Sequence, residues 1–134
     1  MLIIQNGYEC DYEMKLFYKL YFDMNEDIYV YSNFEYKDKV INVYTEIIYN
    51  GGTYFDDFYY DFDTENQKAQ FIKKIFTASC TKSFCHAAEK IKHINLPWGV
   101  MCGIRPAKIV RELMEEGHSD SEVVEILKKI YEVS

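Results

Sequence analysis

Four side chains that can hold a metal fall within fourteen positions of one another: Cys80, Cys85, His86 and His93. Thiolate and imidazole are the usual ligands of zinc, so the chemistry they suggest is a tetrahedral metal site. Helical spacing works against it. On one helix Cys80 and Cys85 point about 140° apart, and His86 and His93 stand about 10 Å apart along the axis. We therefore read the cysteines as small apolar packing groups, and Lys82, His86, Glu89 and His93 as a solvated face. A second cluster, Asp56, Asp57, Asp61 and Asp63, lacks the Asp-x-Asp-x-Asp-Gly core of a calcium loop and the glycine of its sharp turn. Carboxylates that do acid-base chemistry must converge on a substrate, which spacing along a strand does not show. The cluster reads as a solvated edge whose charges prevent edge-to-edge aggregation. Neither a glycine-rich phosphate loop nor a Gly-x-Ser-x-Gly elbow is present.

The densest run of turn and helix signals is LPWGVMCGIRPAKIVRELMEEG, residues 96–117. Pro106 suits a first helical turn, where its missing amide is no loss, and Gly117 suits a left-handed C-terminal cap. Lys108 with Glu112, and Arg111 with Glu115, are helix-stabilising i,i+4 pairs. Arg105 is different, because a cation at a helix N-terminus opposes the macrodipole. It needs an internal carboxylate, a contact with another domain or an anionic ligand. Trp98, the single tryptophan, reads as an anchor packed under the turn.

These residues require elements to hold them. Residues 2–5 read as a short strand closed by Asn6-Gly7. Met14, Phe17, Tyr18 and Tyr21 recur at helical spacing and predict a helix over 11–22. Residues 28–32 and 40–49 read as strands, the second with Ile41, Val43, Thr45, Ile47 and Tyr49 on one face. Asn50-Gly51-Gly52 signals a tight hairpin, whose centre needs positive φ. Beyond it Tyr54, Phe58, Tyr60 and Phe62 alternate with the wetter row Phe55, Asp57, Tyr59 and Asp61, and Asp56 interrupts the apolar row. Thr64-Glu65-Asn66-Gln67 matches a capping box and predicts a long helix to about residue 94, burying Ile72, Phe76, Cys80, Phe84, Ala87 and Ile91. A second box, Ser119-Asp120-Ser121-Glu122, opens a last amphipathic helix that forms a hairpin with 106–116. The expected fold is α+β: a small antiparallel sheet, a meander of three strands or of four with the first strand beside them, with a long helix and a C-terminal helical hairpin. All 134 residues form one domain, with a strand-rich part at 1–62 and a helical part at 63–134.

The net charge of −7 argues against broad contact with a nucleic-acid backbone. The helical hairpin resembles a DNA-reading motif with Arg105, Lys108, Arg111, Lys128 and Lys129 as contacts, but Asp120 and Glu122 sit where base contacts belong. Residues 1–67 carry a net charge of −10 and residues 68–134 a net charge of +3. The two halves can therefore face each other, or the basic half can face an acidic partner. Irregular cysteine spacing without an apolar leader points to a cytoplasmic protein, and no run reaches the roughly 18 apolar residues of a membrane span.

The run at 96–117, with the following helix that ends Tyr131-Glu132-Val133-Ser134, resembles the segment just ahead of the radical-SAM barrel in HemZ-type oxygen-independent coproporphyrinogen III dehydrogenases. Similarity is looser back along the long helix and holds only in outline in the strands. Ala107 stands where the pattern has threonine. The resemblance implies a parent enzyme that uses a [4Fe-4S] cluster, held by Cys-x-x-x-Cys-x-x-Cys, and S-adenosylmethionine to decarboxylate porphyrinogen propionates oxidatively in haem synthesis. Such a cluster needs three closely spaced thiolates. Here the four cysteines are separated by 69, 4 and 16 intervening residues, so these 134 residues hold no cofactor and no catalytic group of that reaction. The expected partner is the catalytic barrel of the same chain. Trp98, Arg105, Lys108 and Arg111 are the expected contacts with it or with an anionic ligand. A stand-alone interaction module is the alternative.

Overall fold

A computed structural model describes residues 1–23, 25–93 and Gly117. The elements are β1 (Leu2–Asn6), α1 (Asp11–Tyr21), β2 (Tyr29–Lys37), β3 (Val40–Tyr49), β4 (Gly52–Asp61) and α2 (Ala69–Glu89). The sheet runs in the order β1-β2-β3-β4. β1 pairs with β2 in parallel, since α1 carries the chain back over the sheet between them, and the other pairs are antiparallel. This is an α+β fold, and none of its described helices is long and apolar enough to cross a membrane. The helical hairpin expected at 106–131 lies outside the described residues.

Alternation decides the layers. Val30, Ser32 and Phe34 from β2, Ile41, Val43, Thr45 and Ile47 from β3, and Phe58 from β4 are buried on one face. Met14, Phe17, Tyr18 and Tyr21 of α1 join that core, and α2 packs on β3 and β4 beside α1. Each such side chain contributes about 1.5–3 kcal/mol when fully buried. Gly7 turns the chain out of β1 at φ 90°, and a Cβ there would overlap the carbonyl oxygen of Phe34. The hairpin at Asn50-Gly51 has φ of 49° and 79°, the left-handed pair a two-residue turn requires. Asp38 and Lys39 make the same turn between β2 and β3, at φ 53° and 61°, without a glycine.

Three expectations need correction. β2 runs on to Lys37 rather than ending at Ser32, because Phe34 and Tyr36 continue the inward row past the polar Asn33 and Glu35. The sequence Thr64-Glu65-Asn66-Gln67 is a turn and not a capping box. Asn66 sits at φ 63°, the Gln67 amide donates to the Thr64 carbonyl at 3.2 Å, and the Asp63 carboxylate takes the Glu65 amide at 2.8 Å. Tyr36 holds this segment to the sheet, its hydroxyl donating to the Phe62 carbonyl at 2.7 Å, so the helix starts only after the chain has left the strand. α2 then ends at Glu89, not near residue 94.

The buried surface of α2 is also wider than a stripe. Cys80, Phe84 and Ala87 are buried as expected and Ile72, Phe76 and Ile91 partly so, but every residue from 78 to 85 is buried. Small side chains allow that. Ser79 and Thr81 return their hydroxyls to carbonyls of their own helix, Ser79 to Ile75 at 2.7 Å and Thr81 to Ala78 at 3.1 Å, while Ser83 reaches the sheet. Thr45 Oγ1 donates to Ser83 Oγ at 2.8 Å, and Ser83 Oγ donates to the Val43 carbonyl at 3.3 Å.

Candidate functional site

Trp98, Arg105, Lys108 and Arg111, the contacts expected from sequence, lie outside the described residues. The helix face and the acidic cluster are described, and both differ from expectation.

Lys82 belongs to no solvated face: it is only 5% exposed, with Nζ 5.5 Å from the centre of the Phe58 ring. His86 and Glu89 are half-buried and only His93 stands in water. The reason is the alternation of β4, which turns Asp56 inward beneath α2. Its Oδ1 lies 3.4 Å from His86 Nδ1, and its Oδ2 is buried without a hydrogen-bond partner among the described residues. Asp57, Asp61 and Asp63 remain exposed, so the solvated-edge reading holds for them and fails for Asp56. An inward-pointing charge discourages another strand from adding to an edge. Lys90 has the same effect from outside, its ammonium donating to the Phe55 carbonyl. The Asp56–His86 pair is thus part of how β4 is closed off.

Cys10, Cys80 and Cys85 are buried thiols. A hydrogen bond with Cys10, reinforced by burial, pushes the Cys80 thiol far above its ordinary range. A thiol held protonated is a poor nucleophile and a poor metal ligand. Cys80 is therefore a poor candidate for an iron-sulfur ligand, and Cys10 and Cys85 are buried in the same core.

The outer face of the sheet is a feature that sequence reasoning missed. Cross-strand rows there read Leu2, Tyr29, Ile48, Thr53; then Ile4, Tyr31, Glu46, Phe55; then Asn6, Asn33, Tyr44, Asp57. Leu2, Ile4, Tyr29, Tyr31, Ile48, Phe55 and Tyr59 are all exposed. The carboxylates among them meet hydroxyl and amide donors. Tyr44 donates to Glu46 at 3.2 Å, and Asn42 and Tyr59 donate to Asp57 at 2.7 and 3.3 Å. The Tyr44 hydroxyl is raised by burial and then by Glu46, and that of Tyr59 by the charge of Asp57. An antiparallel sheet with one wet face normally turns polar residues outward. Rings beside carboxylates instead suit a surface that offers apolar and cationic groups. The available signal was aromatic residues on both alternating rows of the strands.

Compared with known proteins, the chain matches no family model, no curated protein and no solved structure.

Proposed function

We propose that this chain is the non-catalytic N-terminal part of a radical-SAM enzyme of the oxygen-independent coproporphyrinogen III dehydrogenase type. Its role is to dock on the catalytic barrel through the turn and helix at 96–117. The single observation behind the reading is the run LPWGVMCGIRPAKIVRELMEEG, in which Arg105 directly precedes Pro106, the expected first turn of a helix whose dipole a cation opposes. Trp98, Lys108 and Arg111 flank Arg105 in the contact with the barrel. The cluster and S-adenosylmethionine belong to the barrel, and their chemistry is not carried by the thiols described above.

The test is the complete gene product. Its reading frame should continue into a Cys-x-x-x-Cys-x-x-Cys triplet, and the reconstituted enzyme should cleave S-adenosylmethionine. Arg105→Ala should lower porphyrinogen turnover or loosen the domain contact, read as a lower melting temperature. Normal turnover together with normal stability would remove Arg105 from the interface. Stoichiometric iron, sulfide and S-adenosylmethionine cleavage in the 134-residue chain alone would end the proposal.

A second reading, a stand-alone interaction module, is favoured by the aromatic and acidic outer face of the sheet. A stop codon directly after Ser134 would support it over the enzyme.

A further inference from the structure

The two edges of the sheet are treated differently. β4 is guarded by the inward Asp56, by the outward Asp57 and Asp61, and by Lys90 on the Phe55 carbonyl. β1, the other edge, has the sequence Leu-Ile-Ile-Gln-Asn, with no charge, no proline and no bulge in its register. Natural sheets protect such edges or use them.

The parallel register shows which groups β1 leaves open. Leu2 pairs with Tyr29 and its amide donates to the Ile28 carbonyl at 3.0 Å. In a parallel pair the residues that bond the neighbour alternate. Leu2, Ile4 and Asn6 therefore face β2, while the amides and carbonyls of Ile3 and Gln5 point away from the sheet. Among the described residues, no hydrogen bond reaches them. The Gln5 side chain is engaged elsewhere, its Oε1 accepting the Cys10 amide at 2.6 Å.

We propose that β1 pairs with β1 of a second copy, antiparallel about a two-fold axis at Ile4. Ile3 then lies opposite Gln5 of the copy, and every open amide and carbonyl of both strands is used. Ile4 faces its own symmetry mate on the outer face, a pair whose Cβ atoms approach to about 4.5–5.5 Å. Leu2 faces Asn6. None of these residues is charged, so two acidic chains meet at their one neutral edge, with the carboxylates of β4 at the far ends. The two sheets become one, and Ile4, 50% exposed in the single chain, is covered.

Cysteine substitution on the outer face tests the register. In the 134-residue chain, Ile4→Cys should give a reducible covalent dimer under mild oxidation, because the two thiols meet at the axis. Leu2→Cys, as exposed as Ile4 at 47% against 50%, should not, since Asn6 stands opposite. The unsubstituted chain, oxidised in parallel, sets the background from its own cysteines. By sedimentation the unsubstituted chain should be a dimer at roughly 100 μM. Ile4→Lys, which sets like charges face to face, should be a monomer with an unchanged far-ultraviolet spectrum. A monomeric unsubstituted chain, or equal cross-linking at positions 2 and 4, would overturn the proposal.

Discussion

Lys92 shows how one side chain ties distant segments together. Its ammonium lies 5.0 Å from the centre of the Phe22 ring and 5.8 Å from that of Tyr49, and it bonds both oxygens of Glu26 at 3.3 Å. The Glu26 carboxylate also accepts the Asp23 amide at 2.7 Å. That amide first, and Lys92 after it, hold the carboxyl below its ordinary range. A lowered folded value means that the stabilisation is complete above the ordinary value and is lost as pH falls through the folded one. The melting temperature should therefore fall on acidification more steeply in the native chain than in Glu26→Gln. At pH 7 that variant should lose about 1 kcal/mol or less, since the pair is partly exposed. A parallel pair of melting curves between pH 6 and pH 3 would show Glu26 idle. The Thr45–Ser83–Val43 relay gives a second comparison. Ser83→Ala strands the Thr45 hydroxyl in the core and should cost about 1–3 kcal/mol. Thr45→Val removes a donor and leaves Ser83 bonded to the Val43 carbonyl, so it should cost less. Denaturant midpoints that reverse that order would contradict the relay.

At the scale of elements, what could be read from sequence was whatever repeats with a clean period. The four α1 positions and the alternate residues of β3 are buried where their spacing puts them, because one face of each meets the core and the other does not. The far half of β2 was hidden by Asn33 and Glu35, which look like loop residues but face outward between Ser32, Phe34 and Tyr36. The burial of Ala78, Ser79, Thr81 and Ser83 was hidden for another reason: Ala, Ser and Thr carry little hydrophobic signal and are buried because they are small. The Asp38-Lys39 turn was hidden because neither residue is a glycine, yet both adopt positive φ. A non-glycine residue there costs about 1–2 kcal/mol, part of which a glycine gives back through its freer unfolded chain. Lys39→Gly should therefore stabilise the hairpin by about 0.5 kcal/mol. The exposed Lys39–Asp63 ion pair at 3.4 Å adds little to offset that. A lower denaturant midpoint for this variant would mean that the turn is not strained.

At the scale of the whole molecule, the uneven charge is partly used up inside the chain. α2 and the described residues after it send Lys90 to the Phe55 carbonyl, Lys92 to Glu26 and His86 to Asp56, so the described part of the basic half meets the acidic one at these three points. Sequence patterning could not show this, since it fixes faces but not which carboxylate a lysine will meet. The outer face escaped for the same reason: Leu2, Tyr31, Glu46 and Phe55 are far apart in sequence and become neighbours only through register. The candidate contacts at 98–111 came from motif alone. Register also makes a final prediction about exchange of backbone amides with solvent. Ile41, Val43, Thr45 and Ile47 are wholly buried and β3 is paired on both sides, so their amides should open only with global unfolding and exchange slowest. β1 should show an alternation instead. In dilute solution the amides of Ile3 and Gln5, aimed off the sheet, should exchange far faster than that of Ile4, which is bonded to β2. As concentration rises and β1 meets its copy, Ile3 and Gln5 should slow while Ile4 changes little. Protection at Ile3 and Gln5 that is already high in dilute solution and insensitive to concentration would mean that this edge is closed within the single chain.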